Sequence, residues 1–203
     1  MKNMIKDAFI LFAITLVAGI LLGTVNEVTK GPIAEAQEKA KKEACQVVFP
    51  EAASFEKVSL DTDAVAEELT KKGISGADVD ELSYALDETG KKLGVVITVT
   101  DHEGYGGDIQ FSMGITTDGI LNGISLLSIS ETAGLGMEAG NVLVPQFEKV
   151  PVTTFTYTKS GAANSSEIDA ISGATITTKA VVNGVNAGIT YYEIMMEGGQ
   201  LNE

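Results

Sequence analysis

The sequence predicts an α+β protein with an N-terminal transmembrane helix followed by an antiparallel sheet domain flanked by helices. Three observations lead there. Residues 8–25 contain no charged side chain, which is the mark of a membrane-crossing helix. From Leu82 onward the chain becomes β-rich and is punctuated by Asp118-Gly119 and Asn122-Gly123, which are turn or bulge signals. Finally, Thr175 to Met196 carries apolar residues at three- and four-residue intervals, the period of a helix that buries one face. With 203 residues, 44% of them hydrophobic, the chain has material for one globular domain and an appendage.

Taken in order, residues 1–7 form a short N-terminal segment carrying Lys2 and Lys6. The run AFILFAITLVAGILLGTV at 8–25 comes close to spanning a hydrocarbon core as a helix. Thr24, Val25, Asn26 and Glu27 make a poor signal-peptidase site, so the segment reads as an uncleaved anchor in preference to a signal peptide. The two lysines before it place the N-terminus in the cytoplasm and the rest outside the cell membrane, as a single-pass protein. Residues 26–203 hold 12 Lys against 27 acids. Anionic headgroups would repel such a domain, so attachment is by insertion and not by charge.

Gly31-Pro32 is expected to break the anchor's continuation. A juxtamembrane helix is then predicted over 26–50, with Ile33, Ala36, Ala40, Ala44 and Val47 on one face and Glu35–Lys39 and Glu38–Lys42 paired on the other. An extracytoplasmic domain occupies 51–203. Its first 30 residues suggest a helix, a Gly-centred turn and a loop, with no functional signal. SYALDETGKKLGVVITVT reads as two strands about an Asp87–Lys91 turn, and DIQFSMGITTDGILNGISLLSIS continues an antiparallel meander. A short helical pattern around NVLVPQFEKV precedes VTTFTYT, expected to be one further strand. Val182, Val185, Ile189, Tyr192 and Met196 then define the C-terminal helix that packs on the sheet.

Composition excludes several functions. Every basic residue is Lys, and the net charge is −14, so no basic surface exists to displace counterions from nucleic acid. One Cys and one His are too few for haem attachment, an iron–sulfur cluster or a zinc ribbon, and no metal site is expected. Redox chemistry, if present, must come from an organic cofactor. Cys45 reads as a half-buried packing residue and His102 as a surface residue. No Gly-x-Ser-x-Gly, P-loop or dinucleotide fingerprint occurs, so no catalytic residue is assigned and neither ATP nor NAD is expected here. Between Lys92 and Lys149 stand seven acids and no Lys, so nothing this sheet binds is held by a cationic pocket.

The most informative stretch is Asp169-Ala170-Ile171-Ser172-Gly173-Ala174-Thr175-Ile176-Thr177-Thr178, directly before the last helix. Ser172 is placed to cap that helix, with Ile171 and Ile176 as a hydrophobic staple. The small Gly173 and Ala174 leave the first turn open. Such a start is either an ordinary capped helix or a phosphate site, because uncovered N–H groups and the helix dipole attract anions. Thr177 and Thr178 are expected on the helix surface.

Asp-x-x-Ser-Gly-Ala-Thr resembles the flavinylation motif of the FMN-binding domain family. Three more segments resemble that family in the same order. They are Gly104-Tyr105-Gly106-Gly107-Asp108-Ile109, the hairpin from Gly114 through Asp118-Gly119 to Ile124, and Glu131-Thr132-Ala133-Gly134-Leu135-Gly136. The last departs from the family in having Ala133 where Pro is usual, and Ser128 or Ser130 about where a His often precedes. The resemblance implies an FMN-binding fold in which a flavin transferase joins FMN, taken from FAD, through its phosphate to the hydroxyl of Thr175. Asp169, Ser172, Gly173 and Ala174 are then the recognition frame, and Tyr105, Glu131, Thr132, Gly134, Leu135 and Gly136 the surroundings of the ring. Glycines in these loops let backbone N–H groups approach a flat ring, while Tyr105, Leu135 and Met137 are placed to cover its faces.

Within that family the length is similar to that of the G subunits of Rnf-type complexes, the ion-translocating ferredoxin:NAD oxidoreductases. The related C subunit of the sodium-pumping NADH:quinone oxidoreductase, usually longer, is the alternative within the same family. This resemblance implies a redox subunit of a multi-subunit translocase, incomplete as an enzyme alone. Its partners would be the other membrane subunits, above all the flavinylated D subunit, and transiently the transferase. Acidic surroundings would oppose an anionic flavin and set a reduction potential below that of free FMN; a redox titration giving a higher value would contradict this. The alternative from a different class is a membrane-anchored extracytoplasmic binding module whose Gly-rich loops never carry flavin.

Overall fold

The computed structural model of the protein describes residues 2–199, with side chains from Met4 onward. Position 1 of the expected cytoplasmic segment and the last four positions of the expected domain lie outside the described residues. The chain divides into two units at Ala40. The first unit lies within helix α1 (Lys2–Val48), which is long and apolar enough to cross a membrane and has Pro32 inside it. The expected break at Gly31-Pro32 is therefore corrected. A proline removes one backbone bond at a cost of about 3 kcal/mol, and helix propagation on both sides of it outweighs that loss.

The second unit, from Lys41 on, is built on a six-stranded antiparallel sheet whose spatial order is its chain order. The strands are β1 (Ser54–Val58), β2 (Ala77–Leu86), β3 (Lys92–Asp101), β4 (Ile109–Thr116), β5 (Ile120–Ser128) and β6 (Val150–Pro151). Short turns suffice for such a meander. At Asp87–Lys91 the Asp87 carboxylate accepts the backbone N–H groups of Thr89 and Lys91 at 2.7 and 3.0 Å, as the sequence suggested. Asp118-Gly119 makes the β4–β5 turn, with φ of +75° at Gly119. Asn122-Gly123 lies within β5 opposite the register shift between Gly114 and Ile115, a bulge.

The remaining helices are α2 (Thr62–Lys71), α3 (Ala139–Val142) and α4 (Thr175–Glu197). Strand β1 and the first part of β2 had no clear signal in the sequence. Glu56 and Lys57 in β1 are exposed, and Asp78, Asp80 and Glu81 in β2 are exposed or half-exposed; these charged residues blur the alternation that marks a strand. Of the segment expected as one strand at VTTFTYT, residues 152–158, only Thr156–Thr158 is a strand. Val150–Pro151 closes the main sheet against β5. Thr156–Thr158, strand β7, instead pairs in parallel with β8 (Glu167–Asp169).

Strand β3 is buried along almost its whole length because both faces of the sheet are covered. On one face Val95, Ile97 and Val99 join Phe111, Met113 and Ile115 beneath α4. Glycines in α4 make that contact close: a Cβ on Gly184 would lie 2.9 Å from Cζ of Phe111, and one on Gly188 2.2 Å from Sδ of Met113. On the other face Val48, Phe49, Ala52, Ala85 and Val96 form a second cluster with half-buried Cys45 at its margin. Phe49 packs closely on strand glycines, since a Cβ on Gly94 would come within 2.6 Å of its ring and one on Gly114 within 3.0 Å. Ala44 and Val48 are the residues this end of α1 buries, whereas Val47 is 64% exposed; the expected apolar face is corrected by that much. Lys41 and Lys57 both pair with Glu81. Burial alone would raise the Glu81 carboxyl pKa, but these two ammonium groups hold it below the usual carboxylate range.

Candidate functional site

The antiparallel order brings three connections to one end of the sheet: the β3–β4 loop, the segment after β5, and the approach to α4. Between them lies a cavity of about 470 Å³, inside the range typical of small-molecule sites. Tyr105, Glu131, Thr132, Leu135, Gly136, Gly173, Ala174 and Thr175 line it, together with Ile176 and Thr177. Eight of the residues expected from the sequence thus meet at one place, although they come from three separate stretches of chain.

The two Gly-rich loops are locked together by close backbone approach. The Glu131 carboxylate accepts the Gly106 N–H through Oε1 at 3.2 Å, so Glu131 is a clasp between loops and not merely a solvated acid. A Cβ on Gly106 would stand 1.9 Å from the Ser130 carbonyl oxygen, and one on Gly104 2.2 Å from that of Gly107. Gly136 is buried, and a Cβ there would meet Oγ1 of Thr177 at 2.6 Å and Oε2 of Glu131 at 2.8 Å. Beside them Tyr105 stands 70% exposed at the mouth of the cavity, with Leu135 and Ile176 also partly in solvent.

The start of α4 differs from the sequence reading in its details. Ala174 occupies the capping position and no side chain caps the helix. Its first backbone bond runs from the Thr178 N–H to the Ala174 carbonyl at 3.0 Å, leaving the N–H groups of the first turn at the cavity. Ser172 is exposed and off the cavity, because the positive φ of 77° at Gly173 turns the chain between it and the helix. Ile171 is buried while Ile176 is 51% exposed, so no staple forms. The hydroxyl of Thr178 does the local work instead, donating to the Ala174 carbonyl at 3.0 Å and accepting the Ile171 N–H at 3.1 Å. Thr177 and Thr178 are both buried, not surface residues, since α4 turns that side toward the sheet.

Asp169 and Gly134 also lie outside the lining. Asp169 closes strand β8: Oδ1 accepts the Ala162 N–H at 2.7 Å, and Gln146 grips its backbone N–H and carbonyl at 2.7 and 3.1 Å. It therefore fixes where the 170–175 stretch begins. Gly134 serves the turn, with φ of +74°. Sequence reasoning missed Ile176 and Thr177; Thr177 carried the signal of a hydroxyl two residues past the motif, but burial cannot be read from spacing alone.

His102 starts the Tyr105 loop and is exposed, as expected. Its Nε2 lies 3.0 Å from Asp78 and its Nδ1 2.9 Å from Asp108. Carboxylates only accept, so both of these hydrogen bonds form when the ring is protonated and donates from each nitrogen. Hydrogen bonds to the Asp108 and Asp78 carboxylates raise its pKa above the ordinary value. The stabilisation this gives is complete below the unfolded-state pKa of about 6.5 and disappears as pH rises through the folded-state value. As this is the one histidine, its NMR titration reads the effect directly. Asp108→Asn is expected to lower the midpoint, and an unchanged midpoint would contradict the bridge.

A family model for the FMN-binding domain matches residues 104–190, and one for the RnfG N-terminal region matches residues 1–48. The chain is 37% identical to the G subunit of the Na(+)-translocating ferredoxin:NAD(+) oxidoreductase complex of Acetobacterium woodii, across 95% of this chain and 93% of that one. It is 30% identical to the G subunit of the ion-translocating oxidoreductase complex of Methanosarcina acetivorans, across 94% and 95% respectively. In fold it is similar to the crystal structure of Shewanella oneidensis NqrC, with a TM-score of 0.50, 16% identity, and coverage of 76% of this chain and 73% of that one. The cavity's own features suit FMN. It has the needed volume and a helix start without a capping side chain for a phosphate.

Proposed function

The chain belongs to the family of G subunits of ion-translocating ferredoxin:NAD(+) oxidoreductase complexes, and from that premise we propose that it carries FMN covalently on Thr175 outside the cytoplasm. It is an electron-transfer subunit of such a complex and not a complete enzyme. The flavin supplies the redox chemistry, and the protein supplies position and electrostatics.

The half-buried Thr175, at the first position of α4 and in the cavity wall, is the observation that carries the covalent reading. A flavin transferase would have its hydroxyl oxygen take the place of AMP on the FMN phosphorus of FAD, with the hydroxyl proton leaving. The product is a phosphodiester whose remaining negative charge lies against the first-turn N–H groups of α4, where the helix dipole favours it. No lysine is then needed, consistent with the lysine-free stretch that includes Tyr105 and Glu131. Exposed Ser172, turned away by Gly173, is placed for the transferase to read, while Asp169 holds the motif's start through the Ala162 N–H. Tyr105 and Leu135 cover the ring at the cavity mouth. The apolar part of α1 is the membrane anchor, with Lys2 and Lys6 on the cytoplasmic side, and the D subunit is the redox partner we infer.

Intact mass of the chain co-produced with a flavin transferase tests this. A gain of one FMN less one water is expected, lost completely in Thr175→Ala. An unmodified wild-type chain, with the transferase active on a control substrate, would return the motif to a helix start and favour a binding module without flavin.

A further inference from the structure

The buried polar side chains of the described residues are Thr98, Thr100, Asp101, Ser112, Thr177 and Thr178. Five of them are accounted for within the protein. Thr98 and Ser112 bond each other, Thr100 donates to Asp80, Asp101 accepts from Asn183 and from the Glu103 N–H, and Thr178 bridges Ala174 and Ile171. Thr177 is only 1% exposed, yet its hydroxyl bonds to no protein group; it borders the cavity, and no fully enclosed polar side-chain atom lacks a partner. A helical threonine normally returns its hydroxyl to a carbonyl three or four residues back, as Thr178 does beside it. Its oxygen is therefore open to the cavity and not sealed in protein, so the partner it lacks can be supplied from there by a bound group.

Across the bare Cα of Gly136 stands Oε2 of Glu131, the oxygen not used on Gly106. The two groups form one notch, with a hydroxyl that can donate and a carboxylate that can only accept. A ligand matching both must present an acceptor next to a donor. The imide edge of an isoalloxazine does so, presenting a carbonyl beside an N–H.

We propose that Thr177 is a flavin-orienting residue whose hydroxyl donates to an imide carbonyl of the FMN while Glu131 accepts the adjacent imide N–H. The proposal rests on the flavin reading of this cavity. It assigns Thr177 a role distinct from that of Thr175: one hydroxyl carries the phosphate, and the other fixes the ring. Reduction increases negative charge on the imide carbonyls, so a donor there favours the reduced flavin.

The test uses full-length protein, flavinylated by the transferase and verified by intact mass, as wild type, Thr177→Val and Thr177→Ser. Thr177→Val keeps the shape and removes the hydroxyl. Its flavin potential is expected to fall by the equivalent of a roughly tenfold change in preference between reduced and oxidised flavin, about 30 mV for a two-electron couple, with a shifted absorption band. Thr177→Ser should restore both. Should Thr177→Val load poorly, Thr177→Ala is read in the same way. A mass-verified variant with unchanged potential and spectrum overturns the proposal, as does a fall that Ser does not restore, which would mark a packing effect. A wild-type chain lacking the mass gain fails at the earlier step and overturns the covalent reading and this proposal together.

Discussion

Gly106→Ala is expected to slow flavin loading of Thr175 roughly ten- to a hundredfold while leaving the sheet intact. The added Cβ would stand 1.9 Å from a backbone carbonyl at Ser130, and a backbone atom cannot swing aside as a side-chain tip can. The β3–β4 loop must therefore lift. In lifting, it loses the Gly106 N–H bond to Glu131 and carries Tyr105 away from the cavity mouth. Overpacking of this kind costs about 1–3 kcal/mol, and about 1.4 kcal/mol is a factor of ten in the population of the closed loop. The strain falls on a connection outside the β3–β4 ladder, whose pairing runs without a break from Gly94–Thr116 to Asp101–Ile109. The thermal midpoint should therefore stay close to that of the wild type. Time courses of the mass gain, alongside circular dichroism melts, measure both; unchanged loading would show that the two loops need not be clasped for the cofactor to enter.

That clasp also shows what the sequence could and could not disclose. Gly104, Gly106 and Gly136 stand out as glycines, and the reason for placing them near a ligand, close backbone approach, is sound. Gly106 approaches the backbone of the other loop at Ser130 and Gly136 approaches Thr177 in α4, long-range contacts with no local signature, while Gly104 approaches Gly107 in its own loop. The second half of β2 and strands β3 to β5 were legible because their turns carry Asp-Gly or Asp-centred chemistry and their apolar residues cluster between those turns. The continuous burial of β3 reflects covering on both faces, and the second cover is Phe49 resting on Gly94 and Gly114, again a pairing of distant residues. Ser172 looked like a cap because Ser before a helix usually is one. The positive φ of Gly173 moves the start of α4 two residues on and hands the local bonding to Thr178. The membership of Thr175 in a cavity could be inferred from the motif; the burial of Thr177 could not, because it depends on which side of α4 the sheet occupies.

Phe111→Ala should give the opposite signature to Gly106→Ala. Phe111 is fully buried in β4 and its ring tip meets the bare Cα of Gly184 in α4, so the glycine offers no side chain to fill the space left behind. Phe-to-Ala changes in such cores cost about 3–5 kcal/mol through lost transfer energy and the residual cavity. For a domain of this size each kcal/mol is worth about 2–4 °C, so the midpoint should drop by about 10 °C. The site itself lies at the N-terminal end of α4, held separately by Thr178 on Ile171 and Ala174 and by Asn183 on Asp101 and the Ser75 carbonyl. Well below the lowered midpoint, Thr175 should still acquire its flavin at close to the wild-type rate. Loss of loading in step with loss of stability would mean that the start of α4 depends on the packing of the whole helix. Retained loading in Phe111→Ala, set against impaired loading in Gly106→Ala at an unchanged midpoint, would locate the binding determinants in the three connections at the sheet's end and assign the core the task of holding them in register.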